Sequence, residues 1–315
     1  MKVLIAVDSS AASQRVLDEA TIRPWPAGTR FSVVNVVDLQ RFAGLPALIE
    51  DAKREGDEIV RAGVEKLSRS RHPAIPKSII GFPRRAISEY AKEWHADLIM
   101  AGSHGHRAIG RFLLGSVAQG ILRTAECSVE IVRFPSTNEA PSSHPMKVLI
   151  ATDGSECSLA ATNSVAARPW PVATTFKVVS VEELSVLETP MAASPLASIY
   201  PASLLEELLA DARTRTVNAV ESARKILETA RLKTLDQRPI PAGDPRSTIL
   251  ELAQAWPADL IVLGSHGRLG WDRFLMGSVA ESVAVHAHCS VEVMRGTPGL
   301  RMKESNSEET IPCCT

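Results

Sequence analysis

The chain has 315 residues, enough for two domains at roughly 100–200 residues each, and its 45% apolar and 23% charged residues exclude a largely disordered or fibrous protein. Thirty-five Lys plus Arg against 36 Asp plus Glu leave a net charge of −1, so no general attraction to nucleic acid is expected. No stretch approaches the ~20 apolar residues of a spanning helix, and Val3 to Val7 is too short an apolar run for a signal peptide, which points to a soluble cytoplasmic protein without a membrane partner.

In chain order, short apolar runs alternate with helical patterns. Strands are expected at 3–7, 31–37, 77–80, 97–102 and 128–133, and helices at 10–22, 47–69, 84–94 and 116–125. Strands apolar on both faces and separated by helices indicate a parallel sheet covered on both sides, a doubly wound α/β domain. The pattern then repeats. MKVLIAVDSS at 1–10 returns as MKVLIATDGS at 146–155, and RPWP at 23–26 returns at 168–171, both displaced by 145. Gly102 and Cys127 match Gly264 and Cys289 at a displacement of 162, which implies a 17-residue insertion in the second copy, placed at Leu187 to Ser203. The organisation expected is a domain at 1–134, a linker at 135–145, a second domain at 146–296 and a polar tail at 297–315. Cys127, Cys157, Cys289, Cys313 and Cys314 form no C-x-x-C pair, so neither a disulfide framework nor a structural zinc site is expected. His286-x-His288 is likewise a poor metal signal, because the first copy carries Thr124 and Glu126 there.

Ligands of doubly wound sheets sit beyond the carboxyl ends of the strands, where strand order reverses. Strand one is followed by Asp8-Ser9-Ser10 and, in the second copy, Asp153-Gly154-Ser155. Such an Asp could hold a ribose or an exocyclic amine or approach a metal ion, or Asp and Ser could simply cap the first helix. Strand four is followed by GSHGHRAIGRFLLGS (102–116) and GSHGRLGWDRFLMGS (264–278). Each reads G-x-x-G, nine residues, then Gly-Ser at the start of a helix. Glycines without Cβ let successive amides approach an anion, and a helix start adds amides and the positive dipole end, so the loops suit phosphate. Ser116-Val-Ala-Gln119 and Ser278-Val-Ala-Glu281 also read as capping boxes, which need no ligand. His104 and His266 either touch phosphate or shape the loop. No G-K-[ST] is present, so the loops are not of the Walker type.

G-x-x-G, nine residues and G-[ST], after a first strand ending in Asp, resembles the universal stress protein family, in its ATP-binding branch and its tandem form. The resemblance covers about 2–134 and 147–296. It implies two five-stranded parallel sheets of order 3-2-1-4-5, Rossmann-like, with ATP as ligand and room for Mg²⁺. Asp8 and Asp153 would hold adenosine, and Val36 and Val181 would offer backbone atoms to adenine. Gly102, Gly105, Gly115, Ser116 and Val117, with Gly264, Gly267, Gly277, Ser278 and Val279, would hold phosphates. Ser9 departs from the commoner glycine at 154. The resemblance also implies pairing of the two copies through their last strands, CSVEIVR and CSVEVMR, with a further homodimer left open. The expected function is a nucleotide-dependent conformation or assembly state in a stress response, without rapid catalysis. Its alternatives are a nucleotide-independent interaction module and a slow ATP hydrolase.

Overall fold

The computed structural model describes residues 1–41, 46–104, 114–133, 145–182, 202–235, 240–268 and 276–295. The first half runs β1 (Lys2–Ala6), α1 (Ala11–Ile22), β2 (Arg30–Asp38), α2 (Pro46–Arg69), β3 (Ala74–Gly81), α3 (Pro83–Glu93), β4 (Leu98–Gly102), α4 (Ser116–Thr124) and β5 (Ser128–Val132). The second runs β6 (Lys147–Ala151), α5 (Glu156–Ala166), β7 (Thr175–Val179), α6 (Ala202–Thr229), β8 (Thr234–Leu235), α7 (Pro245–Ala255), β9 (Leu260–Gly264), α8 (Ser278–His286) and β10 (Ser290–Met294). Within each half the strands pair in parallel with the order 3-2-1-4-5. The doubly wound α/β expectation holds in both copies.

The two sheets are continuous. The order is β3-β2-β1-β4-β5-β10-β9-β6-β7-β8, with β5 and β10 antiparallel and Glu130 directly opposite Glu292. β3 is longer than expected from the sequence, which stopped short of Pro76; an outer strand tolerates a residue that cannot donate to the ladder. The insertion is also divided. Arg71 and Arg231 are matching left-handed residues after α2 and α6, 160 positions apart, so 15 extra residues precede that point and two follow it. Most of Leu187 to Ser203, the linker save Pro145, and the tail lie outside the described residues. Among the described residues no helix is long and apolar enough to cross a membrane.

Packing differs between the two faces. On one, Leu4, Ile99, Ile131, Leu149, Ile261 and Val291 belong to a single buried cluster that runs through both halves. On the other, each half has its own cluster, built around Phe31 and Leu67 or around Phe176 and Leu227. Strand alternation sends Glu130 and Glu292 to this second face. Both are fully buried, at 0% and 1% exposure. Arg23 meets Glu130 through two bonds of 2.6 and 2.7 Å, and Arg168 meets Glu292 through one of 2.9 Å. These arginines open the two RPWP repeats. Trp25 and Trp170 of the same repeats donate to Ala20 and Val165 carbonyls and pack edge-on against Phe31 and Phe176. Burial alone opposes the charge on Arg23, yet Glu130 and Glu19 raise its pKa well above the ordinary value.

Two further arginines cross the join. Arg133 donates to the Val285 carbonyl near the end of α8 (2.8 Å), and Arg295 donates to the Leu122 carbonyl near the end of α4 (2.6 Å). A cation at a helix C-terminus satisfies carbonyls left without an intrahelical donor. Removing one partner of a buried ion pair strands the other, at roughly 3–5 kcal/mol. Arg23→Met is therefore expected to lower stability by that amount in urea unfolding, and Arg23→Met/Glu130→Leu to recover most of it. A double variant no more stable than the single one would show that the loss lies in packing and not in the stranded charge.

Candidate functional site

β1 has β2 on one side and β4 on the other, so strand order reverses between β1 and β4, and their carboxyl ends open a crevice. A cavity of about 600 Å³ fills it in the first half. Asp8, Val36, Gly102, Gly115, Ser116 and Val117 all contribute to its wall, so six of the seven candidates of this half converge. The seventh, Gly105, lies outside the described residues.

Asp8 is fixed by the start of α1. Its Oδ1 accepts from the Ser10 amide (3.0 Å), from the Ser13 hydroxyl (2.6 Å) and from the Ser10 hydroxyl, while its own amide donates to Ser13 Oγ (2.8 Å). None of the described residues donates to Oδ2. The helix is capped by Ser10, whose side chain accepts from the Ser13 amide, so of the Asp and Ser residues read as caps it is Ser10 that serves. Asp153 is held similarly, with Oδ1 accepting from the Ser155 amide (3.0 Å) and hydroxyl (2.6 Å). Its Oδ2 accepts from the Arg268 amide at 3.0 Å; the counterpart of Arg268 in the first copy, residue 106, lies outside the described residues. Gly154 turns at φ +78°, whereas Ser9 keeps a negative φ, so the two turns differ in shape as well as sequence.

The expected capping boxes do not form. Gly115 and Gly277 are the N-caps of α4 and α8, and neither helix has a side-chain cap. Ser116 and Ser278 stand one position too late, already inside the helix. Among the described residues no side chain accepts from the first-turn amides of α4, which adjoin the cavity. The loop closes at its base, where the Gly115 and Gly277 amides donate to the Ser103 and Ser265 carbonyls at 2.7 Å.

The glycines are not interchangeable. A Cβ on Gly102 would lie 3.0 Å from the Ala12 Cβ, and one on Gly264 would lie 2.9 Å from backbone atoms of Cys157 and Ser158. These two let the first helix sit close over the strand end. A Cβ on Gly267 would lie 2.8 Å from Asp153 Oδ2, so the second glycine of the motif makes room for the strand-one carboxylate. Val181 and Val279 pack against the shared core, as Val36 and Val117 do.

Sequence reasoning missed Asn35 and Gly56, both in the cavity wall. Asn35 Nδ2 donates to the Val7 carbonyl (2.9 Å), and its Oδ1 occupies space 2.5 Å from where a Cβ on Gly56 would stand. A glycine inside the long helix α2 was the available signal, since it weakens the helix unless something needs the space. In the second copy Ser180 replaces Asn35 and Thr216 stands where Gly56 does, so the floors of the two crevices differ.

His104 also lines the cavity, with Nδ1 3.1 Å from Ser103 Oγ and Nε2 buried without a partner. Burial first, and the nearby Arg133 second, lower its pKa below the ordinary histidine value. Burial similarly pushes the Cys127 and Cys289 thiols up to about 12, which makes them poor nucleophiles. Among the described residues no group of three or more His, Cys, Asp and Glu is placed to hold a metal.

A duplicated parallel sheet, with a glycine-bounded loop and an uncapped helix beyond strand four, defines a tandem Rossmann-like α/β protein. The universal stress protein family model matches residues 1–133 and again 145–295, and the chain belongs to that family as a tandem member. It is similar to a universal stress protein of Methanocaldococcus jannaschii, 32% identical over 141 residues that cover 42% of this chain and 82% of that protein. In fold it is similar to a universal stress protein from Archaeoglobus fulgidus, at TM-score 0.63 and 20% identity over 94% of this chain and 98% of that one. A functionally unknown protein from Pseudomonas aeruginosa aligns at TM-score 0.56 and 14% identity over 93% and 92% of the two chains.

A buried neutral imidazole that must take up a proton resists acid. In NMR titration His104 is expected to titrate below the ~6.5 of an unperturbed histidine. Because its folded pKa is lowered, the stability linked to it is fully present above the ~6.5 of the unfolded chain and is lost as the pH falls from there through the folded pKa. A midpoint at or above 6.5 would show that the ring is solvated.

Proposed function

We propose that this protein binds adenine nucleotide, ATP foremost, and acts in a stress response through nucleotide-dependent conformation or assembly. One observation carries the reading: the N-terminus of α4, capped only by Gly115, opens into the same cavity as Asp8 and Val36. Phosphates at the free amides of Ser116 and Val117 would leave the nucleoside toward Asp8 Oδ2 and the end of β2. About 600 Å³ lies within the range of small-molecule sites. Mg²⁺ would enter with the triphosphate. Family membership supports the stress-response role.

The second site would have the same plan. Asp153 already has both carboxylate oxygens engaged by protein donors, so a ligand there must share or displace the Arg268 amide. The β5–β10 ladder supports reading the halves as an internal pair, in place of a dimer of single domains. A cytoplasmic location is part of the same reading, in keeping with free Cys127, Cys157 and Cys289.

Calorimetry with ATP, using GTP as control, tests binding. Up to two ATP sites per chain are expected; no ATP heat at millimolar concentration would favour the interaction module. Gly115→Asp should abolish the first-half site while keeping stability within about 1 kcal/mol of wild type, because the new carboxylate would take the place of phosphate and cap α4 itself. Full binding by this variant would place the phosphates elsewhere.

Turnover is proposed to be absent or far below the ~1–10³ s⁻¹ of typical enzymes. A hydrolase must orient water and stabilise charge that grows in the transition state. Amides at a helix start hold ground-state phosphate equally well, and His104 Nδ1 rests on a hydroxyl and not on a carboxylate that would orient it as a base. Phosphate release at saturating ATP and Mg²⁺ is the measurement. Multiple turnovers per second that vanish in Asp8→Ala/Asp153→Ala would establish an enzyme.

A further inference from the structure

A second cavity, of about 540 Å³, lies between α3 and α4, and Ser116 belongs to its wall as it does to the nucleotide cavity. Ser88 of α3 meets Thr124 of α4 through their hydroxyls at 2.7 Å, and one turn earlier Arg84 lies over Gly120. The two helices therefore run side by side in the same direction. Side chains on a helix lean toward its N-terminus. The Arg84 guanidinium is thereby directed past Gly120 toward Ser116, the residue shared by the two cavities.

Gly120 makes this course available. A Cβ there would stand 2.8 Å from the Arg84 Cβ and overlap its Cγ and Cδ. Neighbouring cations are already paired: Arg85 with Glu89 (2.6 Å), Lys92 with Glu126 (2.6 Å) and Arg123 with Glu281 (2.9 Å). Arg84 is exposed and has no acidic partner among the described residues. The second copy provides an internal control. Its counterpart Arg246 bonds both oxygens of Asp244 (3.0 and 3.1 Å), a residue replaced by Phe82 in the first copy, and Ser282 stands where Gly120 does. The first half lacks the acid that holds this arginine in the second and has a glycine where the second has Ser282.

We propose that Arg84 is a specificity-determining residue of the first site, which contacts the terminal phosphates of a nucleotide seated on α4 and selects triphosphate over monophosphate. The proposal rests on the nucleotide reading above. A guanidinium suits this task because its planar donors match phosphate oxygens two at a time. Arg84→Met keeps the stem that packs over Gly120 and removes the charge.

The test is calorimetry with ATP and AMP on the full chain carrying Gly277→Asp, so that only the first site reports. In that background Arg84→Met is expected to weaken ATP about tenfold, the size of one lost charge-assisted bond, and to leave AMP unchanged. Arg84→Lys should restore part of the loss, and Gly120→Ala, which forces the stem aside, should reproduce it. Arg246→Met should change neither ligand. An unchanged ATP-to-AMP affinity ratio in Arg84→Met, with both ligands still bound, would overturn the assignment of Arg84 alone. Absence of binding by either ligand before Arg84 is changed would overturn the nucleotide reading and this inference with it.

Discussion

Two glutamates placed opposite one another in a buried antiparallel ladder set the terms for this fold. Glu130 and Glu292 cannot both remain charged at the centre of a ten-stranded sheet without nearby cations. The cations come from the turn after the first helix of each half, so the join has its carboxylates paired only with α1 and α5 docked. The join also removes what would otherwise be an exposed strand edge in each half. Its apolar face merges the two cores, while its polar face keeps register, since a one-residue slip would set Glu130 against an apolar partner.

Stability and site formation are therefore physically connected. Arg133 and Arg295 each leave the last strand of one half to satisfy carbonyls near the end of a helix in the other. Those helices are the ones whose opposite ends face the crevices. A nine-residue helix whose C-terminal carbonyls take a cation from the partner half, and whose N-terminus has no side-chain cap, is poised to accept an anion at its free end.

Much of this was legible in the sequence because the sequence states it twice. Repetition of MKVLIA and of the glycine loop located the strands and the loop, and the family resemblance those residues carry implied the strand order and six residues of the first crevice wall. Features that depend on three-dimensional neighbours were not legible. Ser116 read as a cap, yet a cap is decided by where the helix begins, and that proved to be Gly115. RPWP read only as a repeat marker, because the carboxylate that explains Arg23 lies 107 residues away. Gly267 read as a phosphate residue, although its missing Cβ faces Asp153. Asn35 escaped notice because its partner is a backbone carbonyl, which carries no residue signature. Where the copies diverge, at Phe82 against Asp244 and Gly120 against Ser282, the sequence recorded the change but not its meaning.

The antiparallel join has one more consequence. Within each half all strands point the same way, and across the join that direction reverses. The carboxyl ends of the two sets of strands thus lie at opposite margins of the sheet, and the crevices look away from each other. Each crevice is therefore approached from its own side of the sheet. Fusion in a single polypeptide fixes the two crevices in equal number, while each remains free to acquire its own chemistry.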